Sequence, residues 1–200
     1  MRIKMETILA YSAIVLSAIS AVGVIWQTKV ASDQREAAVW PYVQAFPNRF
    51  SKNPAFSISL TNAGVGPAVV RYFSVRVDDK PVKSWREFLA AVSEDKLVRE
   101  ADFDEGVIQG SGWVLAPNMP VSAFSTTVPE AVDALAPSTW SRIDVKFCYC
   151  SVFDQCWLSS WEVSKHENDP KPVTSCPAQA QSGFDWAGIA SNPVKLKTAE

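Results

Sequence analysis

The sequence has few of the residues and motifs on which common catalytic sites depend. It contains one histidine, His166, in a charged stretch where no neighbouring element is predicted to hold an imidazole in place. No G-x-S-x-G nucleophile elbow occurs. Ser93 and Lys96 match S-x-x-K, but the S-D-N and K-T-G partners are missing, so we interpret the match as chance. We therefore predict no catalytic residue, and a hydrolase using Ser93 or His166 is the least favoured alternative.

Complete motifs for binding phosphate, calcium or zinc are also missing. Gly64 and Gly66 do not form a G-x-G-x-x-G loop, so we predict that they connect two strands. The acidic residues lack the spacing of an EF-hand and are predicted to form a solvated loop: Glu100, Asp102, Asp104 and Glu105. The cysteines follow C-x-C-x5-C instead of paired C-x2-C knuckles. We predict neither a cofactor nor a metal.

The charge balance and composition limit the class of protein. The formal net charge is -2, with no basic stripe to offset phosphate charge, which argues against a nucleic-acid binder. Hydrophobic residues make up 48% of the 200 residues, which is enough for a packed core. Thirteen prolines against eight glycines indicate many turns and few long helices beyond the N-terminal region.

A long apolar run near the N-terminus predicts a transmembrane helix. Residues 8–26 contain no charged residue and no proline, and 19 residues in a helix extend about 28 Å, close to the thickness of a bilayer core. The main alternative is a cleaved signal peptide, for which Ala18-Ile19-Ser20 could supply the cleavage site. The apolar run continues past that site, which favours a retained helix. A buried core helix fits less well, because the run is apolar on all sides.

The flanks of this helix suggest its orientation and a mode of association. Arg2 and Lys4 precede the span, whereas Lys29 and Arg35 after it are offset by Asp33 and Glu36. This difference gives a slight preference for residues 1–7 in the cytoplasm. Small residues lie at four-residue spacing on one helix face, which allows close approach of a second helix in lipid: Ala13, Ser17 and Ala21. We expect protein partnership or self-association through this face. Residues 27–39 are predicted to continue the helix as a polar stalk that Trp40-Pro41 ends.

Residues 40–164 are predicted to form a mainly β domain, an antiparallel β-sandwich of immunoglobulin-like type with one or two short helices. Alternation of apolar and polar residues, or apolar runs between turns, predict the strands at residues 56–60, 68–77, 121–128, 141–149 and 156–163, with further segments within 106–117. Short helices are predicted from Ser84, with Glu87 completing a capping box, and over residues 129–135. Residues 165–200, rich in Pro, Ser and Ala, are predicted to form a loosely ordered tail.

The four cysteines favour disulfides in an oxidising compartment. Cys150 and Cys156 flank the turn of a predicted hairpin, where facing positions bring Cα atoms to about 4.5 Å. Three pairings are possible, and we favour Cys150 with Cys156 and Cys148 with Cys176. Zinc held by the cysteines and His166, or free cysteines in a cytosolic domain, are the alternatives.

Three stretches of the chain resemble one group of proteins. They are Trp40-Pro41-Tyr42, the residues 60–68 (LTNAGVGPA), and the residues 149–157 (YCSVFDQCW). Together they resemble a family of bacterial hypothetical proteins with an N-terminal membrane helix and a small extracytoplasmic domain, over roughly residues 8–162. The resemblance implies no activity. It implies a bacterial envelope location and adds support to a Cys150–Cys156 pair.

Two functions of different classes follow as hypotheses. The first is a membrane-anchored extracytoplasmic interaction module, an accessory or assembly subunit for another envelope protein. Its predicted location is the bacterial inner membrane, single-pass, with the C-terminal domain in the periplasm. The second is an anchored small-ligand binder or sensor that uses some of the eight Trp residues to line a pocket.

Overall fold

The structure is a computed structural model, which describes residues 5–50, 55–93, 103–105, 112–162, 170–179 and 184. The chain divides into two compact units, residues 1–38 and residues 39–200. The boundary lies where the polar stalk was predicted to end before Trp40-Pro41.

The first unit is a single helix, α1 (Met5–Ala38), that covers both the predicted span and the predicted stalk. It is long and apolar enough to cross a membrane, and its apolar window is not buried by other residues. Ser12 and Thr28 donate their hydroxyl protons to helix carbonyls, Leu9 O at 2.9 Å and Val24 O at 2.8 Å. These bonds satisfy polar groups within the helix itself, as an apolar environment requires.

The second unit contains antiparallel strands and short helices in chain order. The strands are β1 (Val43–Phe50), β2 (Ala55–Asn62), β3 (Ala68–Val77), β4 (Lys80–Val82), β5 (Phe103–Glu105), β6 (Trp113–Leu115), β7 (Pro120–Thr126), β8 (Ile143–Cys150), β9 (Cys156–Glu162) and β10 (Lys171–Val173). The helices are α2 (Trp85–Ser93), α3 (Pro129–Ala134) and a 3-10 turn (Pro137–Arg142). The five predicted strands with stated bounds and both predicted short helices are confirmed, with small shifts at their ends.

The strands form two sheets. One has the order β1-β2-β7-β5, and the other has the order β10-β9-β8-β3-β4, with β6 also paired to β3. All of these strand pairs are antiparallel. Inward-facing residues of both sheets and of the short helices form one hydrophobic core. Trp85 of α2 joins the sheets, because its ring stacks on Phe124 of β7 at 5.0 Å and contacts Phe73 of β3 at 6.0 Å between centroids.

The start of α2 resembles the predicted capping box, with one difference. Glu87 N donates to Ser84 Oγ at 3.2 Å, as the box predicts. The Glu87 carboxylate, however, accepts from Lys83 N at 2.7 Å, one residue before the capping serine. Both bonds stabilise the first turn, and the apolar face of α2 then lies in the core.

Strand β1 was not predicted from the sequence. It contains Pro47 at its centre, which normally argues against a strand because proline lacks an N–H donor. The strand lies at the edge of its sheet and pairs only with β2 among the described strands, so one side of its backbone needs no ladder partner. Phe46 and Phe50 on β1 are exposed.

Residues 170–179 and 184, the described part of the tail predicted over residues 165–200, are attached to the rest of the second unit at three points. β10 pairs with β9, Cys176 is bonded to Cys148, and Phe184 is buried against Phe73 and Trp85. Strand pairing, a disulfide and burial of an aromatic ring each fix a different point of this segment. The Cys148–Cys176 disulfide is the pair favoured from the sequence, whereas the β9–β10 pairing and the burial of Phe184 were not predicted.

Candidate functional site

Asn62 connects three segments of the chain through its buried side-chain amide. Its Oδ1 accepts from Tyr42 N at 3.1 Å and from Gly64 N at 3.0 Å. Its Nδ2 donates to Gly66 O at 2.7 Å and to Leu115 O at 3.1 Å. The amide therefore uses both donors and two acceptor positions, as a polar group without solvent contact requires. We call this arrangement the Asn62 clamp.

The two glycines of the clamp lie directly against the backbone of the segment that follows α1. A Cβ on Gly64 would lie 2.5 Å from Trp40 O and 2.7 Å from Pro41 C. A Cβ on Gly66 would overlap the backbone of Val39. Val65 N also donates to Trp40 O at 3.0 Å. Trp40-Pro41-Tyr42 and residues 60–68, two of the stretches on which the family resemblance rests, therefore contact each other. Glycine is needed at 64 and 66 because the two backbones approach closely there.

One feature of the sequence indicates a buried polar contact at Asn62. Asn62 continues the inward-facing row of β2, after Phe56, Ile58 and Leu60. A polar side chain at an inward position must find hydrogen-bond partners. Gly64 and Gly66 are local partners, two and four residues away, whereas Tyr42 and Leu115 were not predictable because they lie 20 and 53 residues away.

Exposed apolar side chains occupy several loops at the same end of the second unit as the clamp. We define this clamp end as residues 39–42, 62–67, 116–119 and 151–155, which precede or follow the strands that meet there. Two contacts show that these loops lie side by side. Val69 pairs with Cys150, and Asn118 N donates to Asn62 O at 2.7 Å. Its exposed large apolar residues are Trp40, Val65, Met119, Val152 and Phe153.

Two of these side chains belong to the loop of residues 151–155, whose backbone is held by hydrogen bonds. Ser151 N donates to Gln155 O at 2.7 Å, and the buried Ser151 hydroxyl accepts from Phe153 N at 3.2 Å and Gln155 N at 3.3 Å. Asp154 takes a φ of 58°, the left-handed conformation that Asp tolerates. Val152 and Phe153 are nevertheless 53% and 51% exposed.

The four cysteines lie together beside this loop. The sulfurs of Cys148 and Cys176 lie 2.08 Å apart and those of Cys150 and Cys156 lie 2.11 Å apart, which are disulfide distances and match the pairing that the sequence favoured. The Cys150 and Cys176 sulfurs, which belong to different disulfides, lie 3.6 Å apart. Within the described residues, one group of side chains is close enough to hold a metal ion: Cys150, Cys156 and Cys176. Their sulfurs are, however, engaged in disulfides.

An open groove of about 560 Å³ lies against the cysteines. It is lined by Arg71, Cys150, Asp154, Cys156 and residues 174–179, which include Cys176. Arg71 and Asp154 form an exposed ion pair across 3.6 Å. A second, polar groove of about 280 Å³ lies near Arg76, Asp78 and Arg142.

Two groups of the second unit have shifted pKa values. Burial raises the pKa of Tyr149 to about 12, and the nearby Tyr42 adds to this rise while the Val43 backbone opposes it. The Tyr149 hydroxyl has no well-aligned hydrogen-bond partner among the described residues. Hydrogen bonds from the Arg142 guanidinium lower the pKa of Asp78, and their shortest contact is 2.6 Å. Both shifts have structural causes, and neither group lines the cysteine groove.

Several residues considered from the sequence lie elsewhere. Ala13, Ser17 and Ala21 are exposed on α1, so association through them stays a prediction. Ser93 donates to Leu89 O at 2.7 Å, which is a helix-end contact. The remaining candidates lie outside the described residues: Lys96, Glu100, Asp102 and His166. The side chains of Asp104 and Glu105 are not described either.

Comparisons with protein-family models, with curated proteins and with solved structures found no match. Function must therefore be inferred from the Asn62 clamp, from the apolar side chains of the clamp end and from the cysteine cluster. The clamp fixes the backbone, the apolar side chains offer contact area, and the cysteines offer covalent chemistry.

Proposed function

We propose that this protein is a membrane-anchored, extracytoplasmic interaction module, an accessory or assembly subunit for another envelope protein. In this proposal α1 spans the bacterial inner membrane once and the second unit lies in the periplasm as an immunoglobulin-like sandwich. The protein acts through contact and not as an enzyme. The observation that carries the proposal is the fixed loop of residues 151–155 with Val152 and Phe153 exposed.

The loop has the properties of a binding element. Interfaces draw most of their free energy from a few apolar or aromatic side chains that enter a partner's pocket, and burial of one such side chain contributes about 1.5–3 kcal/mol. Binding loses less conformational entropy when the loop is already ordered. Here the disulfide at residues 150 and 156 and the Ser151 hydrogen bonds supply that order before a partner arrives.

The rest of the clamp end supports a contact surface larger than one loop. Val65 and Met119 are exposed on the neighbouring loops, and residues 62–67 and 116–119 contain no charged residue. Apolar contacts surrounded by uncharged groups are typical of the centre of a protein interface. The clamp holds residues 62–67 in place, so Val65 is presented on a fixed backbone.

Location and architecture have their own supporting observations. The length and apolar composition of α1 support a membrane anchor, and cysteines at disulfide distance support an oxidising compartment. Two antiparallel sheets that contribute to one core support the sandwich. The basic residues Arg2 and Lys4 before the span support a cytoplasmic N-terminus.

The test is purification of the tagged full-length protein from its native membrane in gentle detergent, with companions quantified by mass spectrometry. Wild type is compared with a V152S/F153S double variant and with F46S/F50S, a matched change of two exposed apolar residues on β1. We expect a stoichiometric companion that is lost from V152S/F153S and kept by F46S/F50S. Absence of any companion, or equal retention by both variants, would contradict the proposal.

The groove beside the cysteines favours a second candidate function, an anchored small-ligand binder or sensor. Its volume of about 560 Å³ is within the range of small-molecule sites. Its lining contains no aromatic residue, so the Trp-lined pocket that the sequence suggested is not the one described here. Trp157 follows the groove residue Cys156, and a ligand-dependent change in Trp fluorescence would support this candidate.

A further inference from the structure

The two disulfides are close enough for a thiolate released from one to attack the other. Cys150 Sγ lies 3.6 Å from Cys176 Sγ, although each sulfur is bonded to a different partner. The sulfurs of Cys150, Cys156 and Cys176 all lie within 4.8 Å of one another. Thiol–disulfide exchange requires a thiolate to reach a disulfide sulfur, and here that contact exists before any movement.

Access from solvent differs among the four sulfur-bearing residues. Cys148 is fully buried, Cys150 is 3% exposed, Cys156 is 8% exposed and Cys176 is half-buried. The groove described above opens onto Cys150, Cys156 and Cys176. An external thiol therefore reaches the cluster through the groove. Cys176 is the most exposed of the four residues, and within the Cys150–Cys156 pair Cys156 is more exposed than Cys150.

We propose that the cysteine cluster is a thiol–disulfide exchange site whose substrate is an external dithiol. A thiolate of the dithiol attacks Cys156 Sγ, a mixed disulfide forms at Cys156, and the electron pair of the broken bond stays on Cys150. The second thiol of the dithiol then attacks the mixed disulfide, which releases Cys156 as a thiol and the oxidised, cyclic disulfide of the dithiol.

The released Cys150 thiolate completes the exchange within the protein. It attacks Cys176 Sγ, a Cys150–Cys176 bond forms, the Cys148–Cys176 bond breaks, and Cys148 leaves with the electron pair and takes a proton. In the net reaction the dithiol loses two electrons and two protons, and the protein gains two thiols, Cys148 and Cys156. One disulfide remains, the newly formed Cys150–Cys176 bond, so residues 174–179 stay attached to β8.

Charge in the groove favours the anionic attacking group. Arg71 lines the groove, and a guanidinium near a thiol favours the thiolate form. Asp154 offsets part of this effect through its ion pair with Arg71. The exchange is stoichiometric chemistry with an external dithiol. It breaks the Cys150–Cys156 bond, which also helps to order residues 151–155, and the two tests below follow the disulfides themselves and need no partner protein.

The first test uses the full-length wild-type protein in detergent, treated with one equivalent of dithiothreitol, quenched in acid and alkylated. Cleavage after Tyr149 separates Cys148 from Cys150, so mass spectrometry can assign each disulfide. We expect a Cys150–Cys176 disulfide with Cys148 and Cys156 alkylated. An intact Cys148–Cys176 disulfide with Cys150 and Cys156 alkylated would overturn the proposal.

The second test removes the external reductant. The variant C156S leaves Cys150 as a free thiol beside the Cys148–Cys176 bond, and C150S is the matched control that leaves Cys156 free instead. We expect C156S to contain a measurable fraction with a Cys150–Cys176 bond and free Cys148, while C150S keeps Cys148–Cys176. Cys148–Cys176 alone in C156S, or equal exchange in both variants, would overturn the role of Cys150.

Discussion

The side-chain amide of Gln179 pairs with the backbone of Phe73 as a neighbouring strand would. Phe73 N donates to Gln179 Oε1 at 2.9 Å, and Gln179 Nε2 donates to Phe73 O at 3.1 Å. Phe73 lies between the stretch of β3 that pairs with β6 and the stretch that pairs with β4. One glutamine thus fills a gap in the strand pairing, because its amide bonds both the N–H and the C=O of Phe73.

Replacement of Gln179 by alanine should expose the Phe73 amide. Loss of one net hydrogen bond corresponds to about 1 kcal/mol, so we expect hydrogen exchange at Phe73 N to become roughly five- to tenfold faster. Q179E serves as a comparison, because a carboxylate keeps the acceptor and removes the donor to Phe73 O. Unchanged exchange at Phe73 in Q179A would show that the pairing contributes nothing to local stability.

The Asn62 clamp should be among the most sensitive polar positions of the second unit. Asn62→Ala removes four hydrogen bonds and leaves Tyr42 N, Gly64 N, Gly66 O and Leu115 O without this partner. We expect a loss of about 3 kcal/mol in unfolding free energy, measured by denaturant titration followed by Trp fluorescence. Asn48→Ala, which removes a single bond to Ser59 Oγ at 3.3 Å, should cost less than about 1 kcal/mol.

Gly66 should tolerate no side chain. A Cβ there would overlap the Val39 backbone, and overpacking of this kind costs about 2–3 kcal/mol or more. Gly112→Ala is the comparison: φ is +93° and no atom lies within 4 Å of its Cβ, so only the left-handed backbone cost of about 1 kcal/mol applies. A smaller loss of melting temperature for G66A than for G112A would contradict the close approach.

Tyr149 should make the protein less stable at alkaline pH. Its pKa is about 12 when folded and about 10 when unfolded, so the unfolded state loses its proton first as pH rises. The stability is fully present below about pH 10 and falls by roughly 2–3 kcal/mol between about pH 10 and 12. Tyr149→Phe should remove this part of the pH dependence without loss of stability near neutral pH, because the buried hydroxyl lacks a well-aligned partner. An equal alkaline decline in Y149F would assign the effect to other groups.

Local patterns made much of the β architecture predictable, and long-range contacts explain most of what was missed. The bounds of β3 match the prediction because its apolar run and flanking turns are local properties of the sequence. β1 was missed because Pro47 is acceptable only on an edge strand, and edge position depends on the whole sheet.

The candidate sites were predictable only in part, for the same reason. Cys150 and Cys156 flank a five-residue turn, so their proximity followed from hairpin geometry. The contact between Cys150 and Cys176, and the Gln179 pairing with Phe73, join residues 26 and 106 positions apart. Neither residue spacing nor composition encodes such contacts in a single sequence.

The burial of Phe184 against Trp85 and Phe73 imposes an order on folding during synthesis. The chain emerges from its N-terminus, and all the strands described are available before residue 184 has left the ribosome. Until then, the core faces that Phe184 covers stay open to water and to other chains. The second unit therefore reaches its final packing only after synthesis has passed residue 184, and a shortened chain ending before Cys176 would also leave Cys148 as a reactive thiol.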